Sequence, residues 1–213
     1  MGSVMFTSYR TFIFTALIGL LIAGCTSKSL ESVWVDEGFA AKPMHKILVV
    51  GVSGTLSERR VFEEQFAQAL TTAGTQGVPS FQYIDNSATA SDQAFNAGVD
   101  KSGADGVLLV RVLGVDTRTQ VTTTRVPARS GNSFGPRGTW SPGWGPAWYS
   151  VPDIRQFQVA HVEAILFNSK SHDPIWTAST QLIRPQSVVA ETPGFARLVI
   201  RDLTSRGFIA KKA

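Results

Sequence analysis

"KILVVGVSGTLSERRVFEEQFAQALTTAG", residues 46–74, decides the fold. Its first eight residues form a continuous apolar run rich in valine, the pattern of a strand covered on both faces. The period then changes. Thr55 and Glu58 make a T-x-x-E capping box, after which Phe62, Phe66, Ala69, Leu70 and Ala73 recur at helical spacing until Gly74 stops the turn. A buried strand that runs straight into an amphipathic helix is the opening unit of a layered α/β structure.

Downstream the same alternation continues. "SFQYI", 80–84, reads as a second strand, and Ser91 caps a shorter helix through Lys101, weakened by Gly98. "DGVLLVRVLGV", 105–115, reads as a third, buried strand. Gly103 supplies the helix stop before it, and Asp105 is expected to hydrogen-bond the local backbone. Strand, helix, strand, helix, strand predicts parallel neighbours joined by crossovers.

The second half of the chain has a different rhythm. Residues 157–167 and 175–183 alternate with period two and are joined by the turn-rich "NSKSHDP", so they predict an antiparallel hairpin. Ala160, Val162, Ala164 and Leu166 share one face of the first run, and Trp176, Ala178 and Leu182 share one face of the second; these are the expected core faces. Thr192 and Pro193 open a last helix with Ala196, Val199, Ile200 and Leu203 as its apolar stripe, Gly207 as its end, and Arg197, Arg201 and Arg206 on a solvated face. Upstream, "VWV" at 33–35 fits a short edge strand. The expectation is one α/β (α+β) domain over 33–213: a mixed sheet of about five strands, in the order β-α-β-α-β, then a hairpin and a C-terminal helix, with helices packed on the sheet.

Residues 129–150, "RSGNSFGPRGTWSPGWGPAWYS", interrupt this scheme. Glycine and proline forbid regular structure across it, whereas Trp140, Trp144, Trp148 and Tyr149 are much aromatic surface to leave in water. From Arg118 to Ser150 there are four arginines and no acidic residue. Two readings stand: a segment folded down on the sheet or partly disordered, or a contact surface for an envelope protein, a glycan or lipid headgroups, since Trp and Arg dominate binding hot spots.

Composition narrows the chemistry. The formal charge of +4 over 213 residues is modest and spread along the chain, unlike the clustered basic face that nucleic-acid binding needs. One cysteine permits no internal disulfide and no Cys-based zinc set. No phosphate-binding glycine loop, G-x-S-x-G elbow or H-E-x-x-H occurs, and no motif calls for a cofactor. His161 and Glu163, two apart on a strand, point the same way and give a two-ligand metal corner or an acid/base pair; a third ligand would have to come from elsewhere, for instance His172. The simpler reading is a polar pair on the exposed face of the hairpin. Paired carboxylates need convergence in space, which the spacing of Asp100, Asp105 and Asp116 does not reveal.

The amino terminus carries the parts of a secretory signal: Arg10 in the head, an apolar run from Phe12 to Ala23, and small residues at the exit. Either Met1 or Met5 as the start leaves that run intact. At about twelve residues it is too short to cross a bilayer as a helix, which takes about twenty. "IAGC", Ile22 to Cys25, resembles the bacterial lipoprotein signal. That resemblance implies cleavage after Gly24, so that residues 1–24 are removed, a diacylglyceryl thioether on Cys25, acylation of the freed amine, and a polar tether over 25–32. Each buried methylene contributes roughly 0.8 kcal/mol, so three chains hold durably to the lipid bilayer. Thr26, where an aspartate favours inner-membrane retention, points to the outer membrane.

The run 46–74, with "VPSFQYI" and "SGADGVLLVRV" after it, resembles a group of uncharacterised Gram-negative lipoproteins with a small α/β periplasmic domain. In that group a first strand leads to an Arg-x-x-Phe-Glu helix, here Arg59 to Glu63, then a Gly-Ala-Asp strand entry and a Gly/aromatic insertion. The element order is also similar to the small α/β domains of the TolB amino-terminal and curli-export lipoprotein type, an analogy of fold alone. The resemblance implies a membrane-anchored, non-enzymatic binding or accessory component of the envelope; the alternative is an envelope hydrolase or metal-dependent enzyme using His161 and Glu163.

Overall fold

The computed structural model describes residues 29–52, 54–85, 90–127 and 148–210, with Pro127, Trp148 and Tyr149 described by their backbone alone. The signal segment with Cys25, and Trp140 and Trp144, lie outside the described residues.

The architecture is a mixed α/β fold: six strands in one sheet and three α-helices among the described residues. The strands are β1 (Ser32–Val35), β2 (Lys46–Gly51), β3 (Gln76–Pro79), β4 (Gly106–Pro127), β5 (Trp148–Asn168) and β6 (Pro174–Ile183), in the spatial order β1-β6-β5-β4-β2-β3. The helices are α1 (Leu56–Ala73), α2 (Asp92–Ser102) and α3 (Val188–Ser205). β2 runs parallel to both β3 and β4, as the crossover helices require, and β4, β5, β6 and β1 follow antiparallel.

Two apolar layers result. On one face α1 and α3 press Phe66, Leu70, Phe195, Val199 and Leu203 against Ile47, Val49, Leu108, Ala164, Leu166 and Trp176. On the other, α2 covers Leu48, Val50, Val78 and Val107 through Val99. Residues of β2 are buried alternately in both layers, which explains its unbroken hydrophobicity. The expected core faces of the hairpin hold: Ala160, Val162, Ala164, Leu166, Trp176 and Ala178 are buried, and Leu182 packs at the margin.

The α1 capping box is complete: Glu58 N–H donates to Thr55 Oγ1 (3.3 Å), and Thr55 N–H donates to Glu58 Oε2 (2.8 Å). Gly74 closes the helix in the left-handed region, and Ser91 and Gly103 bracket α2 as expected. "VWV" lies in the edge strand β1. Arg197, Arg201 and Arg206 are exposed.

Four sequence expectations are corrected. The second strand is not 80–84 but 76–79; Ser80–Gln82 is a 3-10 turn. Gly77 makes the earlier strand feasible, because a Cβ there would collide with the backbone of Ala67 on α1. Residues 80–85 are instead drawn onto a buried ion pair. Arg59 Nε sits 2.8 Å from Glu63 Oε1, and the guanidinium donates to Ser80 Oγ and to the carbonyls of Ile84 and Asp85. Glu63 accepts from Gly51 N–H, Ser80 Oγ and Phe81 N–H.

The last helix starts not at Thr192 but after Ser187, whose side chain accepts from Ala190 N–H; Pro193 lies inside it. Thr192 donates its hydroxyl to the Val188 carbonyl and is buried. Asp105 is not a local turn former: its Oδ2 accepts from His45 N–H (2.7 Å) and Lys46 N–H (3.1 Å), sixty residues upstream, tying the foot of β4 to that of β2. Finally, β4 and β5 extend well beyond 105–115 and 157–167, and β5 takes in Trp148 and Tyr149, which pair with Pro127 and Val126. Gly98, unfavourable in a helix by propensity, is held there by packing, since a Cβ would meet Ile84 and the Tyr83 carbonyl.

Candidate functional site

Beyond the last pairings with β2 and β6, β4 and β5 continue as a two-stranded arm among the described residues. β2 leaves β4 at Val110, and β6 leaves β5 at Val159, yet the β4–β5 ladder runs on through the eleven pairs from Thr117↔Gln158 to Pro127↔Trp148. At about 3.4 Å per residue this projects about 35 Å from the body. Residues 117–125 are exposed throughout, on both faces of the ribbon.

The pleat sorts the arm's side chains. Val115 stands opposite Ala160, so Val115, Thr117, Thr119, Val121 and Thr123, with Gln158, Gln156 and Ile154, continue the face that carries α1 and α3 in the body. That face is uncharged until Arg125. The opposite face carries Asp116, Arg118, Asp153 and Arg155. Arg155 pairs with Asp153 (2.8 Å), and Arg118 reaches Gln181 Oε1 of β6 (3.2 Å). Val121 and Ile154 are each 63% exposed, which is unusual for directly paired β-branched residues of a strand ladder.

At the base of the arm a small apolar hollow of ≈ 100 Å³ opens on the uncharged face between the start of α1 and the start of α3. Phe62, Val112, Val162, Leu182, Val188 and Phe195 line it. A bulge between Val112 and Gly114 sits at this point and marks where the body ends and the arm begins.

His161 and Glu163 lie opposite the core face, as the alternation predicts. They do not converge on a shared centre. His161 Nε2 is 3.0 Å from Asp116 Oδ2, and Glu163 Oε2 is 2.7 Å from Arg111; both partners belong to β4. His172 sits in the β5–β6 turn after Asn168, about 23 Å along the strand from His161. Among the described residues no group of three His, Cys, Asp or Glu is placed to hold a metal ion.

The arm's signal was present in the sequence but weak. Thr117, Thr119, Thr122, Thr123 and Thr124 are strand formers, yet an element solvated on both faces has no hydrophobic period to betray it.

The amino-terminal approach is fixed at the same end of the sheet. β1 is antiparallel to β6, with Ser32 opposite Ser179 and Val35 opposite Trp176, so β1 enters at the end where β4 leaves and the arm projects. Glu31 N–H donates to the Ser179 carbonyl (2.9 Å) and Thr180 Oγ1 to the Ser29 carbonyl (3.2 Å). No helix among the described residues is long and apolar enough to cross a membrane.

No family profile matches the chain, and no curated protein does. Among solved structures it is similar to the PelC dodecamer of Paraburkholderia phytofirmans, at 14% identity over 83% of this chain and 97% of that one, with a TM-score of 0.42. It is also similar to the lipoprotein GNA1162 of Neisseria meningitidis (16% identity, 75% of this chain and 98% of that one, TM-score 0.39). A third likeness is to a putative neuraminyllactose-binding hemagglutinin homologue of Helicobacter pylori (11% identity, 82% and 94%, TM-score 0.33).

Proposed function

We propose that this chain is a lipid-anchored periplasmic protein of the Gram-negative envelope, without catalytic activity of its own, that engages a protein partner through the β4–β5 arm. The observation that carries the reading is the arm: eleven strand pairs run on beyond the last pairing of β2 and β6, with no apolar layer on either face among the described residues. A lone two-stranded ribbon is marginal in water, so its length makes sense as a surface completed by something else. Acylated Cys25 holds the protein in the outer membrane. β1 begins seven residues after Cys25 and enters at the end of the sheet from which the arm projects.

The test uses intact cells. One variant has residues 117–158 replaced by an Asn-Gly turn, joining the facing residues Asp116 and Val159; the other carries Cys25→Ser. In-cell crosslinking of the full chain is expected to capture an envelope protein, and excision of the arm to abolish the adduct. Cys25→Ser should lose fatty-acid labelling and leave the membrane fraction. An adduct that survives excision overturns the role given to the arm, and persistent labelling of Cys25→Ser overturns the anchor.

A further inference from the structure

We propose that the partner of the arm is a second copy of this chain, paired β4 edge to β4 edge about a two-fold axis at Val121. The inference rests on the reading of the arm as a contact element and names what it contacts.

The two long edges of the arm are not equivalent. Arg184 N–H donates to the Gln158 carbonyl (2.8 Å), which places the main-chain groups of Gln158 on the side away from β4. In an antiparallel ladder this direction alternates residue by residue. Gln156, Ile154, Pro152 and Ser150 therefore face outward on β5, and across the ladder Thr117, Thr119, Val121, Thr123 and Arg125 face outward on β4. Pro152 has no N–H to offer, so the β5 edge is interrupted at its middle. The β4 edge is continuous: from Val115 to Val126 it contains no proline, so every outward residue there has an N–H to offer.

β2 occupies the same edge of β4 as far as Val110, so an added strand must stop short of it. A two-fold axis at Val121 satisfies this. It sets Val121 opposite its own copy, Thr119 opposite Thr123, Thr117 opposite Arg125, and Pro127 opposite Val115. Arg118 then meets Thr124 and Asp116 meets Val126, so no like charges face one another. The five outward positions of each strand exchange about ten hydrogen bonds, two for each narrow pair. Residues opposite one another in such a pair share a face, so the Val/Thr/Ile/Gln surfaces of both arms merge on one side of a four-stranded ribbon, with Arg125 of each copy at its two ends. The contact is isologous and closes on itself as a dimer.

The experiment uses the full-length chain with Cys25 retained. Val121→Cys is compared under mild oxidation with Ile154→Cys on the other strand and with the chain carrying no added cysteine. The narrow pair at the axis holds its Cα atoms about 5.5 Å apart, within disulfide reach. The expected result is near-complete disulfide dimer for Val121→Cys and only background for the other two. Thr119→Pro, which removes one outward N–H, is expected to weaken dimerisation at least tenfold in sedimentation while the thermal transition of the body stays in place. Crosslinking at Ile154→Cys equal to that at Val121→Cys, or a dimer that persists in Thr119→Pro, overturns the proposal. If Val121→Cys stays monomeric while arm excision still abolishes the cellular adduct, self-pairing is wrong and the contact reading stands; if excision also has no effect, both fall.

Discussion

At the scale of single residues, the most consequential pair is Arg59 and Glu63, 5% and 0% exposed. It is one turn of α1 reaching across to β2 and to the 80–85 segment, with the polar atoms of both side chains engaged. Such a pair is costly to bury but far costlier to halve. Glu63→Ala, which leaves a guanidinium in the core, is expected to lower unfolding stability by about 3–5 kcal/mol in urea titration. Arg59→Met with Glu63→Leu should lose much less, and an equal loss would mean the network does more than neutralise buried charge. Glu58 offers a test of sign. Its carboxyl is held below the ordinary range first by the Thr55 N–H and then by the Thr55 hydroxyl. A folded-state value below the unfolded one means that the contribution is whole above the unfolded value and is lost as pH falls through the folded one. Glu58→Gln should therefore narrow the difference in urea midpoint between about pH 6 and about pH 3 relative to the unaltered chain.

At the scale of elements, the ends of helices were the most legible features and the ends of strands the least. Thr55, Ser91, Gly74 and Gly103 act within three or four residues of where they stand, so their chemistry is visible in a short window. Thr192-Pro193 imitates a helix entrance but lies inside α3, whose working cap is Ser187; Ser187→Ala is expected to cost about 1 kcal/mol. β3 is hidden in the sequence because Gly77 and Pro79 look like loop residues, yet the close approach of α1 admits only glycine at 77. Gly77→Ala should destabilise by about 1–3 kcal/mol through overpacking, read from the same denaturant curves. A neutral result would show that α1 can shift outward at no cost.

At the scale of the whole molecule, body and arm separate energetically. Both apolar layers lie within the body, and among the described side chains residues 117–126 and 150–158 contribute to neither. Excision of 117–158 is accordingly expected to move the thermal midpoint by no more than about 2 °C, less than the shift that 1 kcal/mol produces in a protein of this size. A large drop would place the arm in the folding unit. The layered fold and the core faces of the β5–β6 hairpin were readable from apolar period and residue type. The arm was not, because solvent on both faces erases the period, and its strands are recognised only by the partner each finds across the ladder. By itself, then, the sequence determined what acts locally: caps, turns, and which side of each buried strand is greasy. Only the tertiary structure decided which segments meet, with Asp105 clasping β2 from sixty residues away, Glu63 receiving a distant turn, and β1 entering beside the arm. The physical reason is that hydrogen bonding and burial are satisfied by proximity in space, and a chain records proximity only between near neighbours.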